Sequence, residues 1–294
     1  RYISTVDSGN LAGHLLTLRP GLLALVDEPL YDARLLQGLD DTFALLHEAM
    51  LARDDDATAL DALRRALDAA RASPPQTLAA AAACMQHLLD CAEAVPLDAE
   101  PGSDTDLWLQ ALREQCRDAS ATLRPFAAWT PPATQAKPCP IPTLRQLADS
   151  SAQSMPDTDH LHDQAAAHGA QQHAAVLIQT IERLAQQAGA LALMDYGFLY
   201  DSQRDLLSIG YNVDERRLDA GFYDLLASEA RLTNYVAIAQ EQLPQDSWFA
   251  LGRLLTSGGG EPVLLSWSGS MFEYLMPLLV MPNYAGTLLD QTCR

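Results

Sequence analysis

The chain has 294 residues, 48% of them hydrophobic and 19% charged, with 38 acidic against 19 basic side chains and a formal net charge of −19. Charge this sparse excludes a charge-rich disordered tail and leaves enough apolar residues for a sizeable core in one large or two ordinary domains. The negative charge repels phosphate backbones and anionic lipid surfaces, and a single lysine, Lys137, among scattered arginines makes no basic patch, so nucleic acid is not an expected partner.

The longest apolar segment, Val263 to Met281, is interrupted by Ser266, Ser268, Ser270 and Glu273, so no membrane span is expected. Arg1-Tyr2-Ile3-Ser4-Thr5 is neither a Met start nor a signal peptide and leads straight into an ordered element, as expected of a polypeptide cut from something longer. Five cysteines, at 84, 91, 116, 139 and 293, include no CxxC pair and read as reduced thiols.

Helical periodicity dominates the first two thirds. Asp7-Ser8-Gly9 offers N-cap chemistry for a helix whose apolar face would be Leu11, Leu15, Leu18, Leu22 and Leu25, with Pro20 kinking or dividing it. Further helices are predicted over 33–53, 56–72, 76–94 and 104–128, punctuated at Ser73-Pro74-Pro75 and over 96–102, each resembling an arm of a helical hairpin. Five prolines between 130 and 142 predict an extended connector, and a long helix follows over 157–192. No internal sequence repeat accompanies these hairpins.

After Met194 the period changes. Residues 198–201 and 206–211 flank a polar turn and predict a β-hairpin. A helix is predicted over 222–242, a short strand or loop over 248–255, a flexible loop at Gly258-Gly259-Gly260, a strand over 263–267 and a helix over 270–280 opened by Gly269. Composition splits at the same place: of 47 alanines 40 precede residue 200, whereas 13 of 19 aromatic residues follow residue 194. The first part is a stack of small-residue helices, and the aromatic third is where a site is expected.

Several motifs lead nowhere. His160, His162, His168 and His173 sit near Asp157, Asp159 and Asp163, but spacings of two and five do not put ligands on one helical face, and no metal is expected. The glycine run lacks the following GK[ST] of a phosphate loop, the carboxylates of 214–229 do not follow the calcium-loop order, and Ser268-Gly269-Ser270 lacks the flanks of a nucleophile elbow.

What remains is single acids among aromatics, Glu229 after Tyr223 and Glu273 between Trp267 and Tyr274. Aromatic neighbours that strip water from a carboxylate raise its pKa toward that of a general acid for glycosidic-bond cleavage, and their rings stack on sugar faces. The plain alternative pairs each acid with a nearby arginine, Arg231 for Glu229, or gives it a helix to cap.

Five runs together resemble a known family: 2–12 (YISTVDSGNLA), 194–201 (MDYGFLYD), 208–212 (SIGYN), 226–232 (LASEARL) and 267–277 (WSGSMFEYLMP). They are similar to the glycoamylase-like region of cyclic β-1,2-glucan synthases, with a shorter version of the pattern in endo-β-1,2-glucanases. The resemblance is dense over 1–30 and 190–294; between about 40 and 185 only a helical, Ala-rich segment is recognisable.

The resemblance implies an all-α fold, here part of an (α/α)6 barrel with small β-hairpins. Residues 1–30 would be an early barrel helix, 31–190 a helical insertion containing the Pro-rich connector 130–142, and 191–294 the aromatic-rich barrel segment. It also implies a fragment of a carbohydrate-active enzyme that cleaves and rejoins β-1,2-glucan by transglycosylation, without a cofactor, and with the remainder of the parent polypeptide and the glucan as partners. The parent would be a bacterial inner-membrane-associated enzyme with this segment on the cytoplasmic side.

By motif position Glu229 is the acid/base and Glu273 a second catalytic candidate or sugar ligand, with Asp7, Asn10, Tyr211, Trp267 and Tyr274 lining the cleft. The nucleophile would lie beyond Arg294, leaving the fragment inactive by itself. The alternatives are a non-catalytic helical scaffold or glucan-binding module, and an endo-β-1,2-glucanase-type hydrolase.

Overall fold

The computed structural model describes residues 1–53, 57–96, 100–129, 141–149 and 161–294, and these form mostly helices with small antiparallel sheets. They divide into two compact units, one of residues 24–181 and one joining 1–23 to 182–294. Most of the Pro-rich connector, together with Cys139, His160, Asp157 and Asp159, lies outside the described residues.

The 24–181 unit is helical, as its periodicity predicts. It contains α1's last residue and α2 (Ala33–Ala52), α3 (Asp61–Ala72, entered through a 3-10 turn at Ala57–Leu60), α4 (Leu78–Ala94), α5 (Asp104–Leu123), α6 (Leu144–Asp149) and the first part of α7 (Leu161–Ala192), where α1 spans Thr5–Ala24. Side-chain oxygens of Asp32, Thr77 and Ser103 accept backbone N–H groups at the starts of α2, α4 and α5. At the far end of α4, Arg113 donates to the carbonyls of Ala92 at 3.0 Å and Val95 at 2.7 Å, supplying donors that the helix terminus lacks. Leu39, Phe43, Leu46, Leu63, Met85, Leu88, Leu112 and Phe126 fill one continuous core between these helices. His173 is spent here as a ring packed edge-on to Phe126 at 5.3 Å.

The other unit opens with β1 (Tyr2–Ser4) and α1. The cap falls upstream of the predicted Asp7: Ser4 Oγ accepts the Asp7 N–H at 3.3 Å, and Pro20 is accommodated inside one continuous helix. The predicted leucine face of α1 is not the buried one. Leu11 and Leu18 are 55% and 51% exposed, whereas Val6, Gly9, Ala12 and Gly13 are buried.

Those small residues lie against α8 (Ala230–Ala239): Ala12 shares a core cluster with Leu232 and Val236, and a Cβ on Gly9 would come within 2.5 Å of the Thr233 backbone. Close backbone approach, which only small residues permit, decides the face.

β2 (Tyr200–Asp201) and β3 (Leu206–Leu207) make the predicted hairpin, but the strand does not continue to Tyr211. Instead β4 (Gly210–Asn212) lies between β1 and β5 (Arg217–Leu218), pairing Ile3 with Tyr211 and Tyr211 with Leu218. The helix predicted over 222–242 shortens to α8, because 222–229 is an irregular segment in which Ser228 takes a left-handed φ of 51°.

After α9 (Asp246–Ala250), β6 (Leu254–Gly258) pairs with β7 (Glu261–Leu265). The glycine run is the turn of this hairpin: Gly259 and Gly260 have φ of 61° and 92°, the pattern of a two-residue type I′ turn. α10 (Met271–Leu275), a 3-10 turn (Met276–Leu279) and α11 (Leu288–Cys293) follow, so the predicted 270–280 helix is split into two short pieces.

Candidate active site

Two loops and two helix ends, all within the 1–23/182–294 unit, bring the predicted carboxylates together. Glu229 is the N-cap residue of α8, 6% exposed, with the left-handed Ser228 just before it. A left-handed backbone at a residue with a Cβ costs roughly 1–2 kcal/mol, so neighbours must hold it in place. They do: Ser228 N–H donates to Glu273 Oε1 at 3.2 Å, and Trp267 N–H donates to the Leu226 carbonyl at 3.0 Å. The kink turns the Ser228 hydroxyl onto Glu229 Oε2. From α1, Asn10 Nδ2 approaches Glu229 Oε1 at 3.4 Å, and Asn10 Oδ1 is buried without a partner among the described residues.

Glu273 sits in the first turn of α10, 5% exposed. While one oxygen takes Ser228 N–H, the other accepts the Ser268 N–H at 2.9 Å and the Ser268 hydroxyl at 2.8 Å. Burial pushes the Glu273 carboxyl up, but hydrogen bonds from Ser268, Ser228 and Ser266 outweigh it and hold the group below its ordinary range. That is opposite to the raised value expected of a general acid, because the aromatic neighbourhood also supplies hydrogen-bond donors.

Arg231 does not pair with Glu229. Fully buried, it donates to the backbone carbonyls of Glu273 and Tyr274, and burial lowers its pKa. Among the described residues no ion pair reaches Glu229 or Glu273.

The other predicted residues separate. Trp267 is 63% exposed and meets Tyr223 edge-on, with ring centroids 6.2 Å apart. The Tyr223 hydroxyl is pushed up by its burial and then by the carboxylates of Asp7, Glu229 and Asp219. Tyr2 extends this edge by donating to Asp219 Oδ2 at 3.2 Å.

Tyr274 instead fastens β7 to α10, its hydroxyl accepting from Ser266 N–H at 2.8 Å and donating to the Leu264 carbonyl at 3.2 Å. Tyr211 packs on the cluster of Tyr196, Leu199 and Leu207, with Phe198 edge-on at 5.6 Å, and none of its contacts reaches Glu229. Sequence reasoning assigned no site role to Ser228, Asp219, Tyr2 or Ser268, and named Tyr223 only as an aromatic neighbour of Glu229. Tyr223, six residues before Glu229 in an aromatic stretch, carried the only local signal; the rest depend on the β1–β4 pairing and on the Ser228 kink.

A cavity of about 490 Å³ lies apart from these carboxylates, lined by Tyr235, Trp248, Arg253, Met281, Tyr284 and Leu288 among others. Neither Glu229 nor Glu273 faces it. No group of three metal-ligating side chains forms among the described residues.

No family model matches the chain. Over 293 residues, 99% of its length, it is 35% identical to Cyclic beta-(1,2)-glucan synthase NdvB of Rhizobium meliloti (strain 1021). The chain resembles a cyclic β-1,2-glucan synthase along nearly its whole length. It spans only 9% of that relative. The similarity to the synthase extends through the Ala-rich segment as well as through the motif-bearing ends, so the helical unit of residues 24–181 has a counterpart there too. Among the described residues no helix is long and apolar enough to cross a membrane.

Proposed function

We propose that these residues belong to a glycoamylase-like region that cleaves and rejoins β-1,2-glucan within a longer synthase, with the helices of the 1–23/182–294 unit forming part of an (α/α)6 barrel. The observation that carries this reading is the buried Glu229 carboxylate, held by Asn10 and Ser228, with the exposed ring of Trp267 against Tyr223 in the segment that leads to Glu229.

A carboxylate held in one orientation can deliver a proton to a glycosidic oxygen and take one back from the incoming hydroxyl, and a flat exposed indole stacks on a sugar ring. Glu229 is assigned as that acid/base, and Trp267, Tyr223, Asp7 and Asn10 as groups facing the glucan.

The test is Glu229→Gln in the complete parent protein. Turnover of linear β-1,2-glucan should fall by at least about 100-fold, the lower range for loss of a positioned acid/base. An unchanged rate would remove Glu229 from the chemistry and leave a glucan-binding module, a reading that the 63% exposure of Trp267 also supports.

A further inference from the structure

We infer that Glu273, braced from beneath by Arg231, is a positioning residue that fixes the Ser228 kink and thereby aims the Glu229 carboxylate; this rests on the assignment of Glu229 above. One carboxylate joins two loops. Oε1 takes the amide of Ser228, next to Glu229, and Oε2 takes the amide and hydroxyl of Ser268, next to Trp267. Glu273 thus accepts three donors, two of them backbone amides from different loops, whereas Glu229 accepts only side-chain donors among the described residues.

Arg231 completes the clamp. It lies two positions after Glu229, in the first turn of α8, and its guanidinium holds the carbonyls of Glu273 and Tyr274. The cation has no carboxylate partner among the described residues, so its charge is met by backbone dipoles of the segment that carries Glu273. Trp267 N–H on the Leu226 carbonyl ties the same two loops a second time. Acid and aromatic wall are therefore held as one piece, and Ser228 stays left-handed because Glu273 holds its amide.

A double-mutant cycle in the complete parent tests this. Glu273→Gln puts an amide donor where one of two clusters of N–H groups needs an acceptor, and it should lower kcat on linear β-1,2-glucan by about 100-fold, the scale of a roughly 1 Å misplacement, with KM within about twofold. Ser228→Gly takes the left-handed backbone unaided, so adding Glu273→Gln to it should cost less than about fivefold. Equal losses in both backgrounds would overturn the positioning role, as would a Glu273→Gln enzyme revived by azide, since then Glu273 itself reacts.

If Glu273→Gln does not fold, Ser268→Ala weakens the same clamp more gently. It should lower kcat several-fold at unchanged KM, and no change in kcat would overturn the role. Glu229→Gln run alongside separates the two ideas: if it keeps full turnover, the acid/base assignment falls. The clamp is then read from the Ser228 amide–Hα coupling in the 294-residue chain, which should report left-handed φ in the wild type and lose it in Glu273→Gln.

Discussion

Ser228 carries a side chain through a φ of 51°, and that combination makes different predictions for its two simplest replacements. Ser228→Gly loses the hydroxyl but also removes the Cβ penalty of about 1 kcal/mol, so thermal unfolding of the 294-residue chain should stay level or fall by less than about 1 kcal/mol. Ser228→Ala keeps the strain and loses the hydrogen bond to a buried carboxylate, and should lower stability by about 1–2 kcal/mol. A higher midpoint for the alanine variant would contradict this account of the kink.

Glu273 adds a pH dependence. Its folded-state pKa is depressed below the ordinary value of 4.5, so its stabilisation is complete above that value and is lost as pH falls through the depressed one. Glu273→Gln should therefore flatten the acid limb of stability below about pH 4.5, measured by denaturant unfolding at successive pH values. The motif around Glu229 was legible in the residues. The inversion of Glu273 from candidate acid to bound carboxylate was not, because its donors at 228 and 268 reach it only after two loops meet.

At the scale of elements, periodicity predicted the helices of the Ala-rich part well and misjudged the buried face of α1. The reason is geometric: Gly9, Ala12 and Gly13 let α1 approach α8 at a distance that leucines would forbid, and the leucine stripe is left outside. Gly9→Ala should consequently destabilise the chain by more than about 2 kcal/mol through overpacking, whereas Leu18→Gln should change it by less than about 0.5 kcal/mol in urea unfolding.

The glycine run became a turn for an equally local reason, since two successive positive φ angles suit a two-residue hairpin. The segment 222–229 misled the reading because its composition suits a helix. What opens it is a set of long-range bonds, Ser208 bridging to Phe222, Leu225 N–H to the Gly252 carbonyl, and Ser228 N–H to Glu273.

Across the whole molecule the core is divided. One cluster lies within residues 31–174, while three smaller ones, built from Tyr196 and Leu199, from Ala12 and Leu232, and from Leu225 and Leu264, belong to the other unit. Separate cores predict two calorimetric transitions. Leu88→Ala should lower one and Leu232→Ala the other, each by about 3 kcal/mol of local stability, and a single transition shifted equally by both would refute the division.

By itself the sequence determined the helical period, the Ala-rich first two thirds and the aromatic last third, the β2–β3 hairpin and the motif on which the synthase resemblance rests, because each is written in spacing or composition along the chain. Only the tertiary structure decided which face of α1 is buried, where α8 begins, and which of the two acids ties the loops of Ser228 and Ser268 together. Those outcomes depend on groups more than forty residues apart, such as Ser228 with Glu273 and Asn10 with Glu229, whose hydrogen bonds exist only once the backbone has brought them together.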